Sequence, residues 1–175
     1  MRFPLAPMSP AIRWLTLALW LLPALFGVLA LASRFPMGWF PCAVLLALYA
    51  AVWLACRPKG FEVSGAGLDV VFPTWTRSLP ASGLRRARRI SSAAFREEFG
   101  WAIRIGVGGL WGGFGWLWTS RGGMLELYVS RLDGLLLVER QPGRPLLITP
   151  ADPDRMLQAL GARAGVSAAG PGASG

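Results

Sequence analysis

Between Trp14 and Cys56 the chain carries a single charge, Arg34. Trp14 to Ala32 is 19 residues without a charge, and Phe35 to Cys56 is another 22. At the helical rise these runs measure ~28 Å and ~33 Å, close to the ~30 Å hydrocarbon core of a bilayer. Residues 11–57 are therefore read as a transmembrane helical hairpin, behind an N-terminal tail over 1–10. Pro23 falls inside the first span and predicts a kink, which membranes tolerate. Pro36 and Pro41 fall at the start of the second, where a missing N–H costs least. Trp14 and Trp39 stand near span ends, where interfacial aromatics are favoured. The rival reading is a signal peptide ending at Ala30-Leu31-Ala32. Its apolar region is usually only ~7–15 residues long, and here a second span follows at once.

Positive charge sets the orientation. Only Arg34 lies in the turn. Arg2 and Arg13 precede the first span, and Arg57 and Lys59 follow the second, with Arg77, Arg85 and Arg86 further on. The positive-inside rule then places both termini in the cytoplasm, the hairpin crossing a bacterial inner membrane twice.

Past Arg57 the composition becomes that of ordinary soluble protein. The whole chain has 18 basic and 9 acidic residues, net +9, with Lys59 its one lysine. Without Arg2, Arg13, Arg34 and Arg57, 14 bases face 9 acids and leave about +5. That balance suits anionic lipid or nucleic acid, and also plain solubility. The absence of histidine removes Ser-His and Cys-His catalysis and the HExxH metal site. Cys42 and Cys56 would lie ~21 Å apart on one helix, too far to bond, and are read as apolar fillers. No metal or cofactor is expected.

Residues 58–163 read as a mainly antiparallel β domain. Phe61 to Val63 and Leu68 to Phe72 flank the turn Ser64-Gly65-Ala66-Gly67. Thr76 to Leu79, Arg85 to Ile90, Trp101 to Ile105, Trp116 to Thr119, Leu125 to Ser130, Leu135 to Glu139 and Pro145 to Ile148 follow as strands at close spacing, which predicts a meander closing into a barrel or sandwich. Asp152 before Pro153 predicts a helix start, and Met156, Leu157 and Leu160 predict its buried face. Gly161 is the expected stop. Residues 164–175 are too poor in apolar bulk to fold, and read as a disordered tail.

Short strands closed by one helix outline a pleckstrin-homology barrel. Two spans, the Ser64 to Gly67 turn, the Gly106 to Gly115 run, Leu127-Tyr128-Val129 and Leu147-Ile148-Thr149-Pro150-Ala151-Asp152-Pro153 together resemble the bacterial PH-like domain family. The resemblance covers about residues 60 to 162. It implies a PH-like barrel closed by a C-terminal helix in a small membrane protein, and it brings no catalytic residues.

Three motifs remain. The run Gly106 to Gly115 lacks the Lys-Ser/Thr of a P-loop and the helix of a dinucleotide fingerprint. It reads as a glycine-rich hairpin. The uncharged stretch Ile105 to Ser120 also suits contact with the bilayer interface through Trp111, Phe114, Trp116 and Trp118. Arg85, Arg86, Arg88 and Arg89 are the densest basic cluster, a solvated edge or a contact for anionic lipid held close by the anchor. Nucleic acid is disfavoured, since aromatics do not interleave with these arginines. Glu97-Glu98 reads as a solvated turn, and with Asp133, Asp152 and Asp154 forms no catalytic constellation. The expected role is non-catalytic binding or scaffolding at the membrane, with membrane lipid as partner. The alternative is an accessory subunit whose β domain docks another membrane protein or a second copy.

Overall fold

The computed structural model describes residues 1–33 and 36–169. Arg34, the turn charge, and residues 170–175 of the expected tail lie outside them.

The chain opens with a strand, β1 (Arg2–Pro4), then α1 (Pro10–Ser33) and, after a short 3-10 turn, α2 (Trp39–Ala51), extended by one π-helical turn through Cys56. Two helices are long and apolar enough to cross a membrane, Pro10–Ala32 and Trp39–Cys56. Pro23 lies inside α1. It has no N–H to give Leu19, four residues earlier. The Tyr49 hydroxyl of α2 donates to the Leu19 carbonyl instead, at 2.8 Å. The proline thus supplies a contact between the helices.

Next come β2 (Gly60–Ser64), β3 (Gly67–Val71) and β4 (Thr76–Pro80), then β5 (Leu84–Ile90), α3 (Ser92–Phe99), β6 (Ala102–Gly108), β7 (Gly113–Thr119), β8 (Gly123–Val129), β9 (Leu135–Arg140), β10 (Leu146–Ile148), α4 (Pro153–Ala164) and β11 (Ser167–Ala169). They form two sheets, in the orders β1-β2-β3-β4 and β11-β5-β9-β10-β8-β7-β6. Pairing is antiparallel except for β10 with β8 and β11 with β5.

The expected closed barrel is not observed. No ladder joins the two sheets among the described residues. Pro80 has no N–H to extend β4, and the turn Ala81–Gly83 carries the chain across to start β5 in the other sheet. The main core lies between the sheets under α4, with Phe61, Leu68, Phe114, Leu136, Leu146, Met156 and Leu160 almost wholly buried. A second cluster, including Phe95, Leu125, Leu127, Leu137 and Leu147, lies on the opposite face of the larger sheet.

Four further expectations change. The 1–10 tail is no tail, because β1 pairs with β2 through Phe3↔Phe61 and Phe3 is buried. Glu97 and Glu98 sit on α3, capped by Ser91, whose side chain accepts from the Ala94 N–H at 3.1 Å. α4 runs past Gly161 to Ala164, and the left-handed Gly165 ends it; β11 then pairs with β5 where disorder was expected. The Asp152 cap is as expected, with its side chain accepting from the Arg155 N–H at 3.0 Å.

Candidate functional site

The glycine-rich run forms the β6–β7 hairpin, and its tip is seated on the helical hairpin. Thr16 of α1 makes the joint. Its Oγ1 accepts from the Trp111 N–H at 3.0 Å and lies 2.9 Å from the Gly109 carbonyl and 2.8 Å from the Ile12 carbonyl, to either of which its one proton can go. Leu110 is buried against Tyr49 and Val52, with Leu19, Val107 and Trp111 around them. The Trp111 ring meets Trp53 edge-on at 4.8 Å and Tyr49 at 6.4 Å, and the Arg57 guanidinium lies 4.1 Å from the Trp53 ring.

Glycine is required at this tip. A side chain on Gly109, at φ 98°, would press within 3.0 Å of Leu15 and 3.2 Å of Leu19. Trp111 itself adopts φ 58°, rare for a bulky residue and held here by its contacts on both helices.

The β3–β4 loop makes a second joint. The last carbonyls of a helix have no partner of their own. At the end of α2, Thr74 Oγ1 donates to the Leu54 carbonyl at 3.1 Å and Trp75 Nε1 to that of Ala55 at 3.2 Å. The foot of α1 is fixed too: Ser9 N–H donates to the Ser130 carbonyl at 3.1 Å, and Ser130 Oγ donates to Ala6 O at 2.6 Å. The β domain therefore grips both helices.

The four aromatics divide. Trp111 reaches the helices. Phe114 is 1% exposed in the main core, which takes it out of contact with any bilayer. Trp116 and Trp118 are exposed, opposite Ile105 and Ile103 in the β6–β7 ladder. These four side chains form an apolar patch, with Trp101 edge-on to Trp118 at 5.0 Å.

The four arginines do not form one surface. Arg88 pairs with Glu98 and Glu139, and the Glu98 hydrogen bond raises its pKa further above neutrality. Arg89 holds Asp154 at 2.8 Å. Arg85 and Arg86 are exposed without an ion pair among the described residues. They stand near the β5 end where Leu84 meets Arg140, while Ile90 meets Leu135 at the other end, towards Ser130 and the helix feet. Four to five strand residues put them ~13–17 Å from that end.

Among the described residues no group of His, Cys, Asp and Glu is placed to hold a metal. Comparison of the chain with protein-family models, with curated proteins and with solved structures finds no match.

Proposed function

We propose that the chain is a membrane-anchored, non-catalytic binding protein whose PH-like β domain is held flush against the inner membrane. The seating of the Gly109–Gly112 tip between α1 and α2 carries this reading. A domain on a loose tether would have no such joint. Thr16 and Leu19 lie two and five residues inside Trp14, so the tip reaches ~3–8 Å below the helix end that tryptophan marks. Because β1 pairs with β2, the segments before α1 and after α2 belong to one sheet. That suits two crossings and a cytoplasmic domain.

Lipid contact moves accordingly from the Arg85 to Arg89 strand to the β6–β7 hairpin. A reporter active only in the cytoplasm should work when fused after residue 175 and fail when placed in the turn at residues 33–38. The reverse pattern overturns the orientation.

The accessory-subunit reading draws on the exposed Ile103, Ile105, Trp116 and Trp118. Trp118 stands six residues beyond Gly112 along β7, ~20 Å from the tip, too far for the bilayer and open to a protein partner. A partner retained through high-salt washes, and lost with Ile103→Asp, would favour it.

A further inference from the structure

The outer face of the larger sheet holds a groove of about 610 Å³, inside the ~300–1,000 Å³ range of small-molecule sites. Phe95 and Trp101 wall it, and Leu117, Leu127, Val129 and Leu147 line it. One feature of the sequence leaves it open, and a second sets where Arg104 lies. Helix α3 has only eight residues, ~12 Å of cover for strands of ~23 Å. On β6 and β7 the positions sharing the face of Arg104 include the cross-strand pairs Gly106↔Gly115 and Gly108↔Gly113, which project no side chains. Arg104 lies along this bare strip. A Cβ on Gly108 would come within 2.5 Å of its Nη1, and one on Gly113 within 3.2 Å of its Cζ.

The groove is apolar inside and basic at its rim. Arg96 and Arg104 are its two charged residues, both exposed, and no carboxylate lines it. Neither arginine has an ion pair among the described residues. One end is formed by Val129 and Leu132, on either side of Ser130–Arg131. Ser130 is the residue whose carbonyl receives the Ser9 N–H at the foot of α1. This end of the groove thus lies near the point where the chain enters the helical hairpin.

We propose that this groove takes one acyl chain of an anionic phospholipid, with the phosphate paired to Arg104 and Arg96. Apolar walls suit the chain, unpaired guanidinium groups suit the phosphate, and a groove end near the start of α1 suits a ligand drawn from the adjacent leaflet. The proposal rests on α1 and α2 spanning that bilayer.

The test uses the full chain in nanodiscs with phosphatidylglycerol or phosphatidylcholine, each bearing a photoreactive group at the end of one acyl chain. Both lipids should label the two helices. Phosphatidylglycerol should also label peptides within 92–104 and 125–135, phosphatidylcholine roughly fivefold less for each arginine that reaches the headgroup. Arg96→Gln with Arg104→Gln should equalise the two lipids. Ala102→Trp, at an exposed rim position, should block groove labelling and leave helix labelling intact. Labelled helices with unlabelled groove peptides overturn the groove proposal alone. Unlabelled helices overturn the bilayer reading beneath it. Equal groove labelling by both lipids in the unmodified chain overturns the preference for an anionic headgroup, and groove labelling by phosphatidylglycerol unchanged in Arg96→Gln with Arg104→Gln overturns the phosphate pairing.

Discussion

The two faces of the larger sheet are made by alternate residues of the same strands, yet they are finished differently. Inward, Leu136, Val138, Leu146 and Ile148 meet the smaller sheet and α4 and are fully buried. Outward, Leu117, Leu127 and Leu147 meet one short helix and a groove. The inner face even encloses charge. Glu126 is 5% exposed, 2.8 Å from both Arg140 and Arg77. On the outer face the groove carries its two arginines, Arg96 and Arg104, at the rim without an ion pair among the described residues. One face is specialised for holding the domain together, and the other is free to receive something.

The largest effect expected is at that enclosed charge. Glu126→Gln leaves Arg140 buried without its counter-ion, and should cost about 3–5 kcal/mol of stability by denaturant unfolding in detergent. A cost under about 1 kcal/mol would mean that water reaches the inner face too. Next, Leu136→Ala should cost about 3 kcal/mol as a closed cavity forms, and Leu117→Ala about 1 kcal/mol because a void already adjoins it. Equal costs would erase the contrast between faces. Thr16→Val tests the joint that holds the hairpin. Losing the hydroxyl leaves the Trp111 N–H without its acceptor, a cost of about 1.5 kcal/mol. Hydrogen exchange at that amide should speed roughly tenfold. Unchanged exchange would mean that ring packing alone seats the tip. The smallest effect belongs to Arg85→Gln with Arg86→Gln. Stability should move by less than about 0.5 kcal/mol, and labelling of the protein by anionic lipid should not change. A large drop would return the lipid contact to β5.

Local chemistry was readable in the sequence where it acts alone. Two uncharged runs gave the helices, Ser64 to Gly67 gave the β2–β3 turn, and Asp152-Pro153 gave the start of α4. Helix α3 has a local signal too: Ser91 as cap, with Phe95 and Phe99 four apart and both buried. β1 and β11 have three residues each; a strand so short follows its neighbour more than its own propensity. The site was harder still. Gly108 facing Gly113 is a matter of register, and the diagonal Arg88–Glu139 pair joins residues 51 positions apart in the chain. Neither can be seen in a run of glycines or arginines.

Strand β1 has a consequence for how the protein is made. Pro4 pairs with Gly60, and at ~5–20 residues per second a ribosome needs roughly 3–11 s to travel between them. Throughout that interval the first strand has no partner. On the membrane-anchored reading proposed above, the smaller sheet can close only when the hairpin comes back to the side it left, so its assembly reports on that return. A chain whose second helix failed to return would lack a sheet edge and leave Phe61 uncovered, a defect open to proteases rather than a stable misfolded product.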